Sequence, residues 1–406
     1  MTISLKALFL ENIHPVATTI FQNNGYTVES IKTTLNEEEL INKINTDQIS
    51  ILGIRSKTKV TAKVFESCPT LKVVGAFCIG TNQIDLDVAT NSGIAVFNAP
   101  FSNSRSVAEL VIGEIICLMR KTMTRSMELH SGIWNKSATG CHEVRGKTLG
   151  IVGYGNIGSQ IGILAEGLGM KVVFFDLMEK PTLGNSTKYN SLEKMLPVCD
   201  AITLHIEGGK RNDNFFDKTK MNLLKDGAIL INFARGNLIN IPDLVEALRS
   251  GKISGAGLDL FPSEPIGSKG DFVSELQGME NVIMTPHIGG STEEAQMAIG
   301  EFVPNQILGY INKAETLMSC NLPKAMLMPQ TGNTRIVHIH NNTTGILAKI
   351  NTILSNYNLN ISGQNLRTND KIGYVIIDVE GVVTVEFLEE MKQINNTINC
   401  WVIGEK

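Results

Sequence analysis

Short apolar runs alternate with amphipathic stretches through most of the chain. Up to about residue 100 the apolar runs are KALFL, YTVESI, ISILGI, LKVVGAF and IAVFN. A second series begins with KTLGIVGYGNIG and continues through KVVFFD, DAITLHI, GAILINFARG, ISGAGLDLF and NVIMTPH. Strand-like runs separated by helical stretches are typical of βαβ units with a parallel sheet. The pattern therefore predicts two α/β units.

Two long helical patterns flank the second α/β unit. The first extends from about Ser104 to His130, and the second, polar on one face, extends from Ser291 to Ala314. The second helix would lead the chain back to the first unit, so that the second unit is an insertion. We therefore predict one domain from residues 1–104 and 290–318, and another from residues 105–289.

A compact tail follows a segment with little periodicity. SCNLPKAMLMPQTGNTR holds two prolines and a glycine, and predicts a linker over residues 319–333. Beyond it, IVHIH, NISGQNLRT, GYVIIDVE and NCWVIGE predict strands. TGILAKINTILSNY and TVEFLEEMKQI predict helices, the first because its apolar residues recur on one helical face. The order βαββαβ predicts a ferredoxin-like domain over residues 334–406.

The composition is that of a globular chain. Of 406 residues 43% are apolar and 19% charged, and the net charge of −4 creates no overall field that favours nucleic acid or a membrane surface. The most apolar stretch, AELVIGEIICLM, is interrupted by Glu109 and Glu114, and the N-terminal apolar run is too short for a signal peptide. The seven cysteines are scattered without a C-x-x-C pair. These features predict a cytoplasmic protein of two or three domains, with reduced thiols and no metal.

LGIVGYGNIGSQIG contains the pattern G-x-G-x-x-G, formed by Gly153, Gly155 and Gly158, directly after an apolar strand and at the start of a helix. Such glycines allow a tight turn and let a pyrophosphate approach the free N–H groups of the helix. Asp176 ends the next strand, where an acid accepts hydrogen bonds from the adenosine ribose and repels a 2′-phosphate. The combination predicts a dinucleotide site that favours NAD over NADP.

Three later strands of the same unit carry polar residues at their carboxyl ends. GAILINFARG brings Arg235, and VIMTPH brings His287. GAGLDL brings Asp259, with Glu264 one short loop later. In an open α/β sheet the ligand crevice lies beyond these strand ends. An imidazole bonded to a carboxylate can act as a general acid or base, and an arginine fork suits a carboxylate and its adjacent carbonyl, so the set predicts hydride transfer on a 2-hydroxy acid.

Five stretches together carry a resemblance to a known family. FNAPFSNSRSVAELVIGE, GKTLGIVGYGNIG, LINFARGNLIN, GLDLFPSEP and TPHIGGSTEEAQ closely resemble the D-2-hydroxyacid dehydrogenases. Within that family, nearly the whole chain is similar to D-3-phosphoglycerate dehydrogenases of the short bacterial type. The resemblance implies a Rossmann-type NAD-binding domain inserted in a flavodoxin-like substrate-binding domain, with a C-terminal ferredoxin-like ACT domain. It also implies NAD-dependent oxidation of D-3-phosphoglycerate to 3-phosphohydroxypyruvate, the first step of the phosphorylated route to L-serine.

The resemblance also implies roles for the residues at the strand ends. His287 would take the hydroxyl proton, with Glu264 paired to it, and Arg235 would hold the substrate's carboxylate and carbonyl oxygen. The implied NAD site comprises Gly153, Gly155, Asn156, Ile157, Gly158, Asp176, Phe233, Ala234, Arg235, Asp259, His287, Gly289 and Gly290.

Five further residues are implied to bind substrate. Arg55, Ser56 and Asn103 match positions that recognise phosphate and carboxylate across the interdomain cleft. Trp134 and Lys136 match positions that reach the neighbouring subunit's active site, which implies an oligomer, a homotetramer by resemblance. Exposed cations are commonly only solvated and a tryptophan can cap a core, and these alternatives stay open for Lys136 and Trp134.

The tail resembles an ACT domain through HIHNNTTGILAKI and NLNISGQNL. The match implies that His340, Asn342 and Asn360 bind the feedback effector L-serine at a domain–domain interface, where amide groups satisfy its ammonium and carboxylate. Thr343-Thr344 replaces the Arg-Pro of the family, and Gly332-Asn333 replaces a Gly-Gly hinge. Alternatively, the tail is only an oligomerisation module.

Two other functions remain open on the sequence. One is the same chemistry on another 2-keto acid, such as glyoxylate, hydroxypyruvate or 2-oxoglutarate, because a carboxylate can use the same cations as a phosphate. A side reduction of 2-oxoglutarate to 2-hydroxyglutarate is part of this expectation. The other is an NAD-sensing corepressor that binds peptide motifs, although such family members lack an ACT-like tail. The loop HIEGGKRNDNFF, with Gly208-Gly209 where similar enzymes have Pro and Thr, would border the nicotinamide ribose.

Overall fold

The computed structural model describes residues 5–265, 270–328 and 332–403. The chain divides into two compact units, one formed by residues up to 102 together with those from 296 onwards, and the other by residues 103–295. The domain boundaries given above remain predictions, and residues 329–331 of the predicted linker lie outside the described residues.

The first unit begins with a five-stranded parallel sheet. Its strands are β1 (Lys6–Phe9), β2 (Thr27–Ser30), β3 (Ile49–Ile54), β4 (Val73–Ala76) and β5 (Ala95–Phe97), with helices α1 (Pro15–Asn23), α2 (Glu37–Asp47), α3 (Ala62–Ser67) and α4 (Leu86–Asn91) between them. The sheet order is β2-β1-β3-β4-β5, which confirms the predicted flavodoxin-like topology. β3 is buried at every position, as expected for a central parallel strand covered on both faces.

The second unit contains a seven-stranded sheet, and every described strand pair in it is parallel. In chain order its elements are α5 (Ser104–Arg120), α6 (Thr122–His130), β6 (Thr148–Val152), α7 (Asn156–Gly167), β7 (Lys171–Phe175), β8 (Thr187–Lys188), α8 (Leu192–Met195), β9 (Ala201–Leu204), α9 (Lys218–Leu223), β10 (Ala228–Asn232), α10 (Ile241–Ser250), β11 (Ile253–Leu258) and β12 (Val282–Met284). The order β12-β11-β10-β9-β6-β7-β8 confirms the predicted Rossmann-type domain. Its winding reverses between β6 and β9, and ligands of such sheets bind at that switch point.

The sequence predicts one helix from Ser104 to His130, whereas the structure has two. Lys121 adopts a left-handed conformation with φ +52°, and its N–H bonds to carbonyls of the last turn of α5. α5 buries an apolar face, but α6 has no buried residue. Because tertiary packing supplies most of a helix's stability, α6 lacks the buried face that would hold it in line with α5.

The first unit resumes with a long helix and the tail domain. These elements are α11 (Glu293–Lys313), β13 (Thr334–Asn341), α12 (Ile346–Asn356), β14 (Asn360–Thr368), β15 (Ile372–Glu380), α13 (Val385–Lys392) and β16 (Thr397–Ile403). The antiparallel order β14-β15-β13-β16 confirms the predicted ferredoxin-like fold. Within the described residues, no helix is both long and apolar enough to cross a membrane.

The tail domain packs on the rest of the first unit. Arg335 forms a two-bond ion pair with Asp378, with both N–O distances at 2.7 Å, and its Nη1 donates to the Lys313 carbonyl at 2.7 Å. The Tyr374 hydroxyl donates to the Ala314 carbonyl at 3.0 Å. Both contacts satisfy carbonyl groups near the end of α11, so the tail is fixed to that helix by buried polar bonds.

Candidate active site

The glycine-rich loop lies at the carboxyl end of β6, at the switch point of the second sheet. Gly153 adopts φ +92°, and a side chain there would overlap the carbonyl oxygen of His205. A side chain at Gly158 would overlap the carbonyl oxygen of Gly153, whereas one at Gly155 would face open space. Gly153 and Gly158 therefore close the turn, and Gly155 leaves room for a phosphate group at the first N–H groups of α7.

Asp176 follows β7 and lies beside this loop. Its Oδ2 accepts a hydrogen bond from the Tyr154 N–H at 2.8 Å, and its Oδ1 accepts one from the Met178 N–H at 2.8 Å. These bonds fix the carboxylate while leaving lone pairs for ribose hydroxyl groups. The residues of this loop thus fit the adenosine half of NAD.

The segment after β12 is built around the carboxylate of Asp259. Asp259 is 2% exposed; its Oδ1 accepts bonds from the Thr285 hydroxyl at 2.6 Å and the Ile288 N–H at 2.7 Å. Its Oδ2 accepts the Gly289 N–H at 2.8 Å. The role of Asp259 in NAD binding stays a prediction, but within the chain its carboxylate holds the turn that carries His287.

His287 stands in this turn with an unusual backbone conformation. Its φ is +55°, in the left-handed region, and its N–H bonds to the Asp259 carbonyl at 2.9 Å. Such a conformation is costly for a histidine, and it persists where surrounding bonds determine it. It leaves the imidazole 58% exposed, with Nδ1 2.9 Å from Oε2 of Glu264.

Glu264 is oriented in turn by the backbone of its own loop. Its Oε1 accepts the Phe261 N–H at 3.1 Å, which leaves Oε2 for His287. A carboxylate at Nδ1 fixes the ring orientation and stabilises the imidazolium form. Nε2 is then the nitrogen that can exchange a proton with a substrate hydroxyl.

Arg235 lies in a tight turn after β10. Asn232 Nδ2 donates to the Arg235 carbonyl at 2.9 Å, and a side chain at Gly236 would overlap the backbone of Phe261. Within the described part of the chain the guanidinium donates one bond, from Nη1 to the Ala234 carbonyl at 2.7 Å, so its other N–H groups remain for a ligand. A side chain at Gly208 would stand 2.9 Å from Cγ of Arg235, so a larger residue there would require the Arg235 side chain to shift.

Asn103 and the Gly289-Gly290 turn are neighbours in the second unit. A side chain at Gly290 would overlap Nδ2 of Asn103, and one at Gly289 would stand 3.1 Å from the Phe233 ring. The Oδ1 atom of Asn103 is buried without a hydrogen-bond partner among the described residues. An unpaired buried acceptor beside the His287 turn suits contact with a bound ligand.

The sequence did not indicate the part played by Glu114 of α5. Glu114 is 4% exposed, and neither carboxyl oxygen has a hydrogen-bond partner within the described part of the chain. Its carboxyl group fills the space beside Gly257 of β11, where any side chain would overlap it. Burial, and secondly the negative charge of Asp259, raise the pKa of Glu114 to about 8. At neutral pH Glu114 is therefore mainly a neutral acid near the carboxylate that holds the His287 turn.

Replacing Glu114 with Gln is expected to flatten the pH dependence of the free energy of unfolding. Between its usual pKa of 4.5 and about 8, the folded state keeps a proton on Glu114 that the unfolded state releases. Stability therefore falls as pH rises through this window, by up to about 5 kcal/mol, since a tenfold change in proton affinity is worth about 1.4 kcal/mol. Urea unfolding across this pH range measures the effect. Glu109→Gln, on the exposed face of α5, is the control, and parallel curves for wild type and E114Q would contradict the prediction.

The remaining predicted substrate residues lie on exposed or half-buried segments. Arg55 and Ser56 follow β3 in the first unit, and the Arg55 side chain has no hydrogen-bond or ion-pair partner among the described residues. Trp134 is 80% exposed and lies with exposed Lys136 in the segment after α6.

The three predicted effector residues do not meet within one chain. His340, near the end of β13, pairs with Gly373 at the start of β15, and Asn342 follows β13. Asn360 pairs with Glu380 at the opposite end of β15, so it lies about 24 Å away along the strand. His340 is 3% exposed, and burial lowers the pKa of its ring. A site using all three residues requires a second copy of the domain.

Comparison with known proteins places this geometry in a family. Residues 112–289 match the model of the D-isomer specific 2-hydroxyacid dehydrogenase NAD binding domain. The D-3-phosphoglycerate dehydrogenase of Haemophilus influenzae is 47% identical over 400 residues, which cover 98% of this chain and 97% of that protein. The chain belongs to the D-isomer specific 2-hydroxyacid dehydrogenase family. It is an NAD-dependent oxidoreductase.

Other relatives extend this result. The D-3-phosphoglycerate dehydrogenase of Escherichia coli K12 is 43% identical, with 98% of this chain and 97% of that protein covered. The structure of D-2-hydroxyisocaproate dehydrogenase aligns with a TM-score of 0.69 and 26% identity, covering 78% of this dehydrogenase and 100% of that chain. Residues 336–399 match an AHAS small subunit-like ACT domain, so the tail is an effector-binding module of this class. No group of three or more His, Cys, Asp or Glu among the described residues is arranged to hold a metal ion.

Proposed function

We propose that the enzyme oxidises D-3-phosphoglycerate to 3-phosphohydroxypyruvate with NAD, the first step of the phosphorylated route to L-serine. The observation that carries this proposal is the pairing of His287 with Glu264, 2.9 Å apart, in the unit that holds the glycine-rich loop and Arg235. Relatives named D-3-phosphoglycerate dehydrogenase that match nearly the whole chain, tail included, support this substrate over other 2-hydroxy acids.

The proposed reaction combines hydride transfer to NAD with proton transfer to His287. NAD, when bound, accepts the hydride from C2 of the hydroxy acid. Nε2 of His287 takes the proton of the C2 hydroxyl, while Nδ1 remains bonded to Glu264 and the imidazolium is stabilised. Arg235 offers parallel N–H donors to the substrate carboxylate and to the oxygen that becomes a carbonyl. In the reverse direction His287 returns the proton.

Three further residues are proposed to recognise the substrate. We propose that Arg55 and Ser56 bind the phosphate and that Asn103 contributes its unpaired amide oxygen as an acceptor for a substrate hydroxyl group. A carboxylate at the same distance from C2 would use the same cation, so slower reduction of 2-oxoglutarate to 2-hydroxyglutarate is part of the proposal.

The active enzyme is proposed to be a homotetramer in the cytoplasm. Met127, Leu129, Ile133 and Trp134 are each more than half exposed on α6 and the segment after it. Several large apolar side chains exposed along one segment favour an interaction site there, and covering the segment with a second copy would bring Trp134 and Lys136 to a neighbouring subunit. All seven cysteines are free, which suits a reducing compartment.

L-serine is the proposed effector, bound between two ACT domains. The separation of Asn360 from His340 along β15 supports a site shared by two copies, in which one copy supplies His340 and Asn342 and the other supplies Asn360. The polar side chains at these positions suit the ammonium and carboxylate of an amino acid.

One set of assays tests the proposal. Purified enzyme should oxidise NADH with 3-phosphohydroxypyruvate much faster than with glyoxylate or 2-oxoglutarate, and L-serine should lower that rate. Light scattering on the same sample should give the mass of four chains. A faster rate with glyoxylate or 2-oxoglutarate would contradict the substrate, and no response to L-serine would contradict the effector.

A further inference from the structure

Glu11 lies just beyond the carboxyl end of β1 in the first unit. It is 8% exposed and adopts φ +63°, in the left-handed region. Its N–H donates to the Thr33 carbonyl at 3.2 Å, and the N–H of Asn12 donates to the Ile31 carbonyl at 3.4 Å. These bonds hold a turn that few side chains adopt without such support. The turn directs the Glu11 carboxylate to the end of β3.

Three backbone N–H groups of the segment 55–58 bond to this carboxylate. Oε1 accepts from Arg55 at 3.1 Å and from Thr58 at 2.8 Å, and Oε2 accepts from Lys57 at 3.0 Å. The N–H of Ser56 is skipped and has no partner among the described residues. The segment 55–58 therefore curves around the Glu11 carboxylate, and Ser56 lies on its exposed side.

Gln83 holds the same segment from another direction. Its Nε2 donates to the Arg55 carbonyl at 2.7 Å, and its own carbonyl accepts the Val60 N–H at 2.8 Å. The backbone on both sides of Ser56 is thus fixed by bonds to residues distant in sequence. Precise backbone support of this kind is what a binding segment needs to present its side chains without loss of entropy.

The groups to which Glu11 bonds also affect the charge that the segment 55–58 presents to a ligand. The carboxylate is satisfied by backbone N–H groups, and such charge-assisted bonds are strong. It does not pair with the Arg55 guanidinium, whose donors have no partner among the residues that the structure describes and remain for a ligand. A neutral amide at position 11 would remove the charge and would turn an N–H donor towards other N–H groups.

We propose that Glu11 is a positioning residue for phosphate recognition: its carboxylate shapes the segment 55–58 so that Arg55 and Ser56 bind the phosphate of the substrate. This inference rests on the phosphate role of Arg55 and Ser56 in the proposed function. Glu11 itself does not touch the substrate and takes no part in hydride or proton transfer.

The test compares two substrates that differ by the phosphate group, 3-phosphohydroxypyruvate and hydroxypyruvate, in the wild type and three variants. Glu11→Gln is expected to raise the KM for 3-phosphohydroxypyruvate about tenfold, the usual cost of losing a charge-assisted bond. Its kcat, its kcat/KM for hydroxypyruvate and the Kd for NADH should stay within about twofold of wild type. Arg55→Ala should raise the same KM about 100-fold. Glu38→Gln, an exposed acid in the same unit, should change nothing.

The outcomes separate this inference from the proposed function. If R55A raises the KM for the phosphorylated substrate but E11Q behaves like E38Q, the role of Glu11 is wrong and the proposed function stands. If E11Q lowers kcat for both substrates equally, Glu11 supports only the fold and the inference is also wrong. If wild type does not prefer the phosphorylated substrate, the proposed function fails, and this inference fails with it.

A further variant covers the case in which E11Q does not fold. Glu11→Asp keeps the carboxylate but shortens its reach, so it is expected to fold and to raise the KM for 3-phosphohydroxypyruvate by a smaller factor, about threefold. An unchanged preference between the two substrates in folded E11D would overturn the inference.

Discussion

Replacing His287 with Ala is expected to lower kcat for keto-acid reduction by about 1,000- to 10,000-fold, the range of general acid–base catalysis. In the proposed mechanism, Nε2 of the His287 imidazole delivers a proton to the substrate oxygen that becomes the hydroxyl group. Its removal leaves the glycine-rich loop and Asp176 intact, so the Kd for NADH should change by less than about threefold. Steady-state kinetics and fluorescence titration with NADH measure the two quantities.

Two controls accompany this variant. Glu264→Gln keeps the ring but replaces the carboxylate at Nδ1 by an amide, and an intermediate loss of about 10- to 100-fold is expected. His142→Ala removes an exposed histidine of the same unit and should leave kcat unchanged. Turnover near the wild-type rate in H287A would show that another group transfers the proton.

Replacing Arg235 is expected to produce the second large effect. Arg235→Ala removes the donors to the substrate carboxylate and the reacting oxygen, and kcat/KM should fall by about 1,000-fold or more. Arg235→Lys keeps the charge but loses the planar fork, so a loss of about 100-fold is expected. Arg249→Ala, an exposed arginine of α10 in the same unit, is the control.

The split between kcat and KM decides how Arg235 acts. A donor to the reacting oxygen stabilises the transition state, so kcat should fall in R235A along with kcat/KM. An increase in KM alone, with kcat unchanged, would mean that Arg235 only binds the substrate carboxylate. A kcat/KM within about threefold of wild type would remove Arg235 from the active site.

Sequence patterns predicted the fold in detail because its strands are short apolar runs with regular spacing. The apolar runs predicted parallel α/β units, and the βαββαβ order of the tail predicted a ferredoxin-like domain. The Rossmann-type and flavodoxin-like topologies of the two larger sheets were implied by the resemblance to the family. The break at Lys121 was missed because the sequence around it is compatible with a helix. The structure shows that α6 buries no residue whereas α5 buries an apolar face, and the sequence does not display this difference.

For the candidate site, the sequence pointed to the side chains at the strand ends but not to the hydrogen bonds that hold them in place. Arg235, Glu264 and His287 follow strands or short loops, and strand ends meet at one edge of a parallel sheet. Asp259 was predicted as a cofactor residue, yet its bonds to the His287 turn join residues 26 to 30 positions apart. Such pairings depend on backbone geometry that residue spacing does not contain.

Two acids illustrate the same limit. Glu11 directly follows an apolar strand, and Glu114 interrupts an apolar stretch of α5. Each position signals that something must satisfy or neutralise the charge. The partners of Glu11 lie 44 to 47 positions further along. For Glu114 the structure shows that no residue it describes donates a hydrogen bond to the carboxyl group, so that the proton itself neutralises the group.

The most direct test of the proposed function is the ratio of kcat/KM for 3-phosphohydroxypyruvate to that for hydroxypyruvate, measured with NADH and wild-type enzyme. A site built to bind a phosphate discriminates strongly against the same molecule without it, and we expect a ratio of about 100 or more. A ratio near one, or a preference for hydroxypyruvate, would contradict phosphate recognition by Arg55 and Ser56. It would leave the enzyme as a dehydrogenase of a different 2-hydroxy acid.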